Sequence, residues 1–303
     1  MFVLKSQRRE VVAQAEHVEI FEVGPRDGLQ NEPREIAVED KVALIDCLSD
    51  AGFRRIEVAS FVSPKWVPQM AGSAEVMAAI TRVSGVRYAA LTPNLRGFEM
   101  ALDARADEIA IFASASEGFS KANINATIAE SLERFEPVAH AASLAKVPVR
   151  GYVSCITDCP YDGEVDPARV AQVASALRDL GCFEISLGDT LGRATPEKID
   201  AVLRAVRETI PATILAGHYH DTAGRALDNV EVSLDHGLRV FDAAIGGLGG
   251  CPYAPGAAGN VATEAVHERL IKLGYSTGLN LDILKEAASI AKSLRSVGQA
   301  DGL

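Results

Sequence analysis

Seven positions in this chain carry side chains able to hold a cation, move a proton or stabilise an anion: Arg26, Asp27, Glu57, Asp189, His218, His220 and Asn260. An eighth, Cys251, stands within residues 246–260, a stretch with six glycines and two prolines. Such a run resists helix formation and makes a poor strand interior. It reads as a loop carrying one thiol, with Asn260 opening a helical pattern at its end. The cysteine there is either a small apolar residue in a tight connection or a reactive group on a movable loop.

His218 and His220 are two apart, so on a strand both side chains point to one face. Two imidazoles facing a protein interior are costly unless something satisfies them. A pair of metal ligands accounts for them, and a core pair hydrogen-bonded to carboxylates is the alternative. Asp27 would add an anionic oxygen and Asn260 a neutral carbonyl oxygen. With no thiolate, that set suits a hard or borderline octahedral ion, Mg2+ or Mn2+, better than zinc. Arg26 could hold a developing oxyanion beside such an ion, or pair with Glu57 or Asp189. Glu57 and Asp189 are candidates for acid, base or outer partner of a ligand. Lys121 and Asn123, in the loop expected after the fourth strand, could meet phosphate.

These residues need a scaffold that gathers them. Eight short runs rich in Val, Ile, Ala and aromatics read as buried parallel strands: 17–23, 55–61, 87–91, 108–113, 149–154, 184–187, 214–220 and 240–245. Amphipathic stretches fall between them at 38–51, 73–83, 94–106, 125–146, 166–180, 195–209, 221–236 and 260–273. Pro167 and Pro196 sit at first helical positions, and Gly52, Gly181, Gly237 and Gly274 stand just past helix ends. A last helix, 282–294, has no strand after it and is expected to pack across one face. Strand and helix alternating eight times predict a (β/α)8 TIM barrel, an α/β fold with an extra C-terminal helix. A doubly wound open sheet is the runner-up, but its glycine fingerprint is missing after the first strand. In a barrel the active site lies at the C-terminal ends of the strands, and the residues named above cluster at those ends. Residues 1–16 are expected to be an N-terminal extension, and 17–303 a single catalytic barrel domain.

The composition is that of a globular protein, 48% hydrophobic and 23% charged over 303 residues. A net charge of −11 argues against nucleic acid or an anionic membrane as a partner, while leaving room for a local basic site. Five cysteines, an odd number in a chain of this length, argue against a disulfide framework and for a reducing, cytoplasmic setting. No apolar run approaches a membrane span, and residues 1–16 lack the apolar core of a signal peptide.

The chain resembles the 3-hydroxy-3-methylglutaryl-CoA lyase family of DRE-TIM metallolyases from about residue 17 to residue 294. The resemblance is carried by Val23-Gly24-Pro25-Arg26-Asp27-Gly28-Leu29-Gln30, by Ser60-Phe61-Val62-Ser63-Pro64-Lys65-Trp66, by Arg150-Gly151-Tyr152-Val153-Ser154-Cys155, and above all by Gly246-Gly247-Leu248-Gly249-Gly250-Cys251-Pro252-Tyr253. It implies divalent-metal-dependent cleavage of 3-hydroxy-3-methylglutaryl-CoA to acetyl-CoA and acetoacetate, a step of leucine breakdown, and a homodimer acting on a small acyl-CoA. By the same resemblance, Asp27, His218, His220 and Asn260 bind the metal, Arg26 stabilises the enolate, and Cys251 is the catalytic thiol. Gln30, Glu57, Tyr152, Asp189 and Thr190 match substrate-pocket positions. Claisen-type acyltransferases share the Arg-Asp and His-x-His elements but lack the Cys251 loop, so a condensing enzyme is the less favoured reading. A lyase for a related acyl-CoA, such as citramalyl-CoA or 3-hydroxy-3-isohexenylglutaryl-CoA, is a closer alternative, and a non-catalytic metal- or CoA-binding barrel the remotest.

Overall fold

Eight parallel strands close into a barrel in the computed structural model, which describes residues 15–251 and 254–295, with 250–251 and 254–258 described by backbone alone. They are β1 (Glu19–Glu22), β2 (Arg55–Ser60), β3 (Arg87–Leu91), β4 (Glu108–Ser114), β5 (Val149–Ser154), β6 (Glu184–Asp189), β7 (Leu215–Tyr219) and β8 (Val240–Ala243). Each strand pairs with its sequence neighbours, and β8 returns to β1 with Glu19 beside Val240 and Glu22 beside Ala243. Strands in such a ring are covered on both faces, which is why they read as apolar runs rather than as alternation.

All eight expected strands form: β3 and β5 with the expected ends, β4 and β6 longer by one and two residues, and the other four trimmed. Ile214 belongs to a short 3₁₀ turn (Ala212–Ile214) before β7, and His220 lies one residue past β7, bridged to Asn260. The outer layer is α1 (Val38–Asp50), α2 (Ser73–Ala79), α3 (Leu95–Asp103), α4 (Glu117–Ile124), α5 (Ile128–Ala145), α6 (Pro167–Asp179), α7 (Pro196–Arg207), α8 (Ala226–Asp235) and α9 (Thr263–Lys272). The extra helix, α10 (Leu281–Leu294), buries Leu284, Ala287, Ala291 and Leu294 against α1 and the turn Ile245–Gly247. Among the described residues no helix is long and apolar enough to cross a membrane.

The differences from expectation have local causes. The segment after β4 holds a helix of its own, α4, opened by the Ser116 hydroxyl accepting from Phe119 N–H. Asn125 in the left-handed region (φ 49°) ends it, and a Thr127–Glu130 capping box starts α5 afresh. Lys121 and Asn123 are therefore on a helix and not in a loop. Helix α2 stops at Ala79 because Asp46 captures both the N–H and the hydroxyl of Thr81. Asn260 does not open a helix: residues 260–262 run as backbone bridges beside the strand ends, and α9 begins only at Thr263. The glycine-rich stretch is not wholly loop either, since Gly250–Cys251 pairs antiparallel with Ala254–Ala258. A second small hairpin, Asp158–Cys159 with Gly163–Glu164, was invisible in the apolar pattern.

The barrel interior is not uniformly apolar. Arg55 and Arg150, each no more than 1% exposed, lie among Glu19, Glu108, Glu184 and Asp242 near the strand starts. Arg55 donates from Nη1 and Nη2 to both oxygens of Glu184 (3.0 Å each), and Arg150 Nε reaches Glu184 at 2.6 Å. Two cations face four carboxyl groups here. Burial pushes Glu108 up to about 7, Arg55 and Arg150 offsetting only part of that, and its Oε2 accepts no hydrogen bond.

Candidate active site

The turn after β1 puts a charged pair at the mouth of the barrel. The Val23 carbonyl accepts from the N–H groups of Arg26 (3.2 Å), Asp27 (2.8 Å) and Gly28 (3.2 Å), winding residues Gly24–Gly28 into a π-helical turn. Pro25 pre-sets its first bend. Gly24 and Gly28 are required by contact: a Cβ at Gly24 would lie 2.5 Å from Glu22 Oε1, and one at Gly28 2.6 Å from Leu248 Cβ. Glu22, fully buried, ties three segments together. It accepts from Gly24 N–H (2.8 Å), from Ile245 N–H at the foot of the cysteine segment (2.9 Å), and from Thr263 Oγ1 beside Asn260 (2.6 Å).

Asp27, His218 and His220 converge, each offering one ligand atom within 4.8 Å of the others. Asp27 Oδ2 is 4.0 Å from His218 Nε2 and accepts from Asn260 Nδ2 at 2.7 Å. A half-turn of that amide would present Asn260 Oδ1 to the same point. Burial works against the charge on Asp27, yet Arg26, the two imidazoles and the Asn260 hydrogen bond together outweigh it and hold the carboxyl down to about 2. Burial and then the neighbouring His218 push His220 down to about 4, so its ring is neutral at pH 7. The Thr190 backbone hydrogen-bonds that ring, and His220 Nδ1 is buried without a partner.

The residues fit a divalent cation. An orphaned imidazole nitrogen, an ionised carboxylate and a second imidazole held at the same point are an N/O donor set with lone pairs to spare. Such a set suits magnesium or manganese.

Beside it, Arg26 is shared between two carboxylates. Its Nε and Nη2 meet Glu57 Oε2 at 2.6 and 2.5 Å, and Nη1 meets Asp27 Oδ1 at 2.6 Å. The ion-pair reading of Arg26 holds, with Glu57 as a partner, and the guanidinium also lines the cavity. Tyr152 donates its hydroxyl to Glu57 Oε2 (3.2 Å) under the Arg26 guanidinium. Burial raises the Glu57 carboxyl even against Arg26, and its Oε1 has no partner.

These groups open into a cavity of about 650 Å³ at the C-terminal mouth of the barrel. Gln30, Thr190 and Asn123 line it, and Gln30 Oε1 is unpartnered. Asp189 does not line it: its carboxylate turns away to accept from the N–H groups of Gly192 (3.1 Å) and Ala194 (2.9 Å), pinning the loop after β6. Lys121, exposed on α4, is not on the wall either, whereas Arg134 of α5 is and escaped the sequence reading. The Cys251 backbone lies in the hairpin, paired with Ala254, and its side chain lies outside the described residues.

The HMGL-like family model matches residues 17–291. The 3-hydroxy-3-isohexenylglutaryl-CoA/hydroxy-methylglutaryl-CoA lyase of Pseudomonas aeruginosa is 56% identical over 270 residues, 89% of this chain and 90% of that protein. The hydroxymethylglutaryl-CoA lyase of Pseudomonas mevalonii is 52% identical over 89% of each chain. The crystal structure of the HMG-CoA lyase from Brucella melitensis superposes with a TM-score of 0.92 at 62% identity, covering 93% of this chain and 99% of that one.

Proposed function

The chain belongs to the HMGL-like family, and from that premise we propose that it cleaves 3-hydroxy-3-methylglutaryl-CoA to acetyl-CoA and acetoacetate. The observation that carries the reading is the meeting of Asp27, His218 and His220, with His220 Nδ1 unpartnered, next to the Arg26 guanidinium at the cavity floor.

Retro-Claisen cleavage removes the proton of the tertiary hydroxyl, breaks the C2–C3 bond and leaves its electron pair on C2 as a thioester enolate. The carbonyl of acetoacetate forms at C3, and one proton returned to C2 completes acetyl-CoA. A bound divalent ion supplies Lewis acidity, lowering the hydroxyl pKa and fixing its orientation. Asp27, His218, His220 and Asn260 would hold that ion. Arg26 carries a charge that cannot be lost at working pH, and it faces the thioester oxygen as negative charge develops there. Glu57 and Tyr152 fix the guanidinium plane, while Gln30 Oε1 offers an acceptor to the substrate. Thr190 orients His220 through its backbone. Cys251 would return the proton to C2, and the hairpin that carries it would keep water from the carbanion. Asn123 and Arg134 supply donors at the mouth for the CoA phosphates, with Lys121 two residues before Asn123 on α4.

A second acyl group is favoured by one observation. Val62, Leu91 and Phe112 form a small apolar cluster with Tyr152 on the cavity wall, room for a C3 substituent larger than methyl. The test is a coupled assay for acetyl-CoA release from 3-hydroxy-3-methylglutaryl-CoA, its 3-isohexenyl analogue and citramalyl-CoA. Highest kcat/KM on the first substrate, abolished by chelator and restored by Mn2+ or Mg2+, supports the reading. No release from any of the three refutes it.

A further inference from the structure

The metal-ligating face of His218 is set from below. His218 and Asp242 are direct partners in the pairing of β7 with β8, so their side chains enter the barrel side by side. His218 Nδ1 lies 3.1 Å from Asp242 Oδ2. That carboxylate is saturated with donors: Arg150 grips it twice (3.0 and 2.7 Å), and Ser186 Oγ donates to it at 2.8 Å. With the Arg150 guanidinium bidentate on both its oxygens and the Ser186 hydroxyl donating to one, it can offer His218 only an acceptor. The contact therefore requires a proton on His218 Nδ1, which leaves the Nε2 lone pair facing Asp27.

Arg150 is itself immobile. It is fully buried, bonded through Nε to Glu184 at 2.6 Å, and packed over the rings of Phe21 and Tyr152 at 4.5 and 4.8 Å. Asp242 is 2% exposed and is absent from the cavity wall, so it touches neither substrate nor ion.

We propose that Asp242, clamped by Arg150 and Ser186, is a positioning residue that locks His218 in the Nδ1–H tautomer and thereby sets the affinity for the divalent cation. The barrel's inner charged layer then has a task beyond filling space: it carries the rigidity of Arg55, Arg150 and Glu184 to one ligand. This rests on the metal reading of the cavity, and the two fail differently in the experiment that follows.

Nitrogen-15 imidazole spectra of the metal-free wild-type protein, followed upward in pH until the ring shifts become those of a neutral imidazole, read the tautomer directly once His218 is assigned against His218→Gln. The expected result is a protonated Nδ1 and a pyridine-like Nε2. Asp242→Asn offers an amide hydrogen that Nδ1 can accept, so the proton is expected to move at least partly to Nε2. Mn2+ affinity, followed by electron paramagnetic resonance, should fall roughly 10- to 100-fold in that variant, the range for an outer partner of a ligand. Ser186→Ala removes a donor and leaves the His218 contact, so it should stay within about threefold of wild type. A wild-type spectrum with the proton on Nε2 overturns the proposal, and that spectrum decides even if Asp242→Asn does not fold. A folded Asp242→Asn binding Mn2+ as wild type does also overturns it. Wild-type protein with the expected tautomer and no Mn2+ binding overturns instead the metal reading.

Discussion

Replacing Arg26 by lysine keeps the charge and removes the fork. The guanidinium makes three short contacts, two to Glu57 Oε2 and one to Asp27 Oδ1. An ammonium on a shorter stem can hold one carboxylate well and not both in these directions. Each charge-assisted hydrogen bond is worth about 1.5–3 kcal/mol. If two are lost and half of their worth is expressed only as the enolate forms, the barrier rises by about 1.5–3 kcal/mol, or roughly 10- to 150-fold in kcat. KM should move far less, because the thioester oxygen is nearly neutral in the ground state. Burial already raises the Glu57 carboxyl against a full Arg26 partnership, so a weaker partner raises it further. Arg26→Lys should therefore also shift the acidic limb of the kcat profile toward higher pH. Steady-state kinetics of both proteins across pH, with Mn2+ affinity measured alongside, test this. A lysine variant within threefold of wild-type kcat, or one losing activity only through KM, refutes an enolate-facing role and leaves Arg26 a structural ion pair.

Three further outcomes are expected. His220→Ala should lower Mn2+ affinity by more than about tenfold, with thermal stability falling by no more than the lost Thr190 contact, about 1 kcal/mol; unchanged affinity by titration calorimetry would exclude it as a ligand. Glu108 has a folded pKa of about 7, above its ordinary 4.5, so the stability of its neutral form is complete below 4.5 and lost as pH rises through 7. Glu108→Gln should remove that dependence, gaining up to about 3 kcal/mol on wild type between pH 4.5 and 8 in urea melts; a constant difference across that window would mean the carboxylate is ionised throughout. Cys251→Ser should lose roughly 100-fold in turnover, as for a missing acid–base group, while binding Mn2+ normally; wild-type turnover would make the thiol a packing residue.

The barrel was legible because its strands are buried on both faces and its helices are punctuated by Pro167, Pro196 and trailing glycines. The mouth residues were legible because parallel strands deliver their ends to one side. Asp189 misled for that same reason: it stands at a strand end, but Gly192 and Ala194 offer it backbone donors closer than the cavity. Helix α4 and the bridge at Asn260 depend on contacts with distant segments that periodicity does not encode. The charged interior left a trace that went unread. Glu19, Arg55, Glu108, Arg150, Glu184 and Asp242 each interrupt an apolar run within its first three residues, at one height in the barrel. Opposite charges recurring at equal depth in parallel strands are a signal of an internal ion layer.

The clamp at Glu22 also bears on how the chain is made. Its three partners include residues 223 and 241 positions further along, and Asp27 meets Asn260 across 233. During synthesis, β1 emerges first and β8 last, so one edge of β1 waits unpaired while nearly the whole ring is translated. A chain that has reached β6 already holds Arg26, Asp27 and Glu57 but neither imidazole. Closing so long a loop is slow, and an unpaired apolar edge invites pairing with another chain. The reactive centre straddles that seam, so competence for chemistry arrives only with completion of the ring, and no fragment that stops before Asn260 can acquire it.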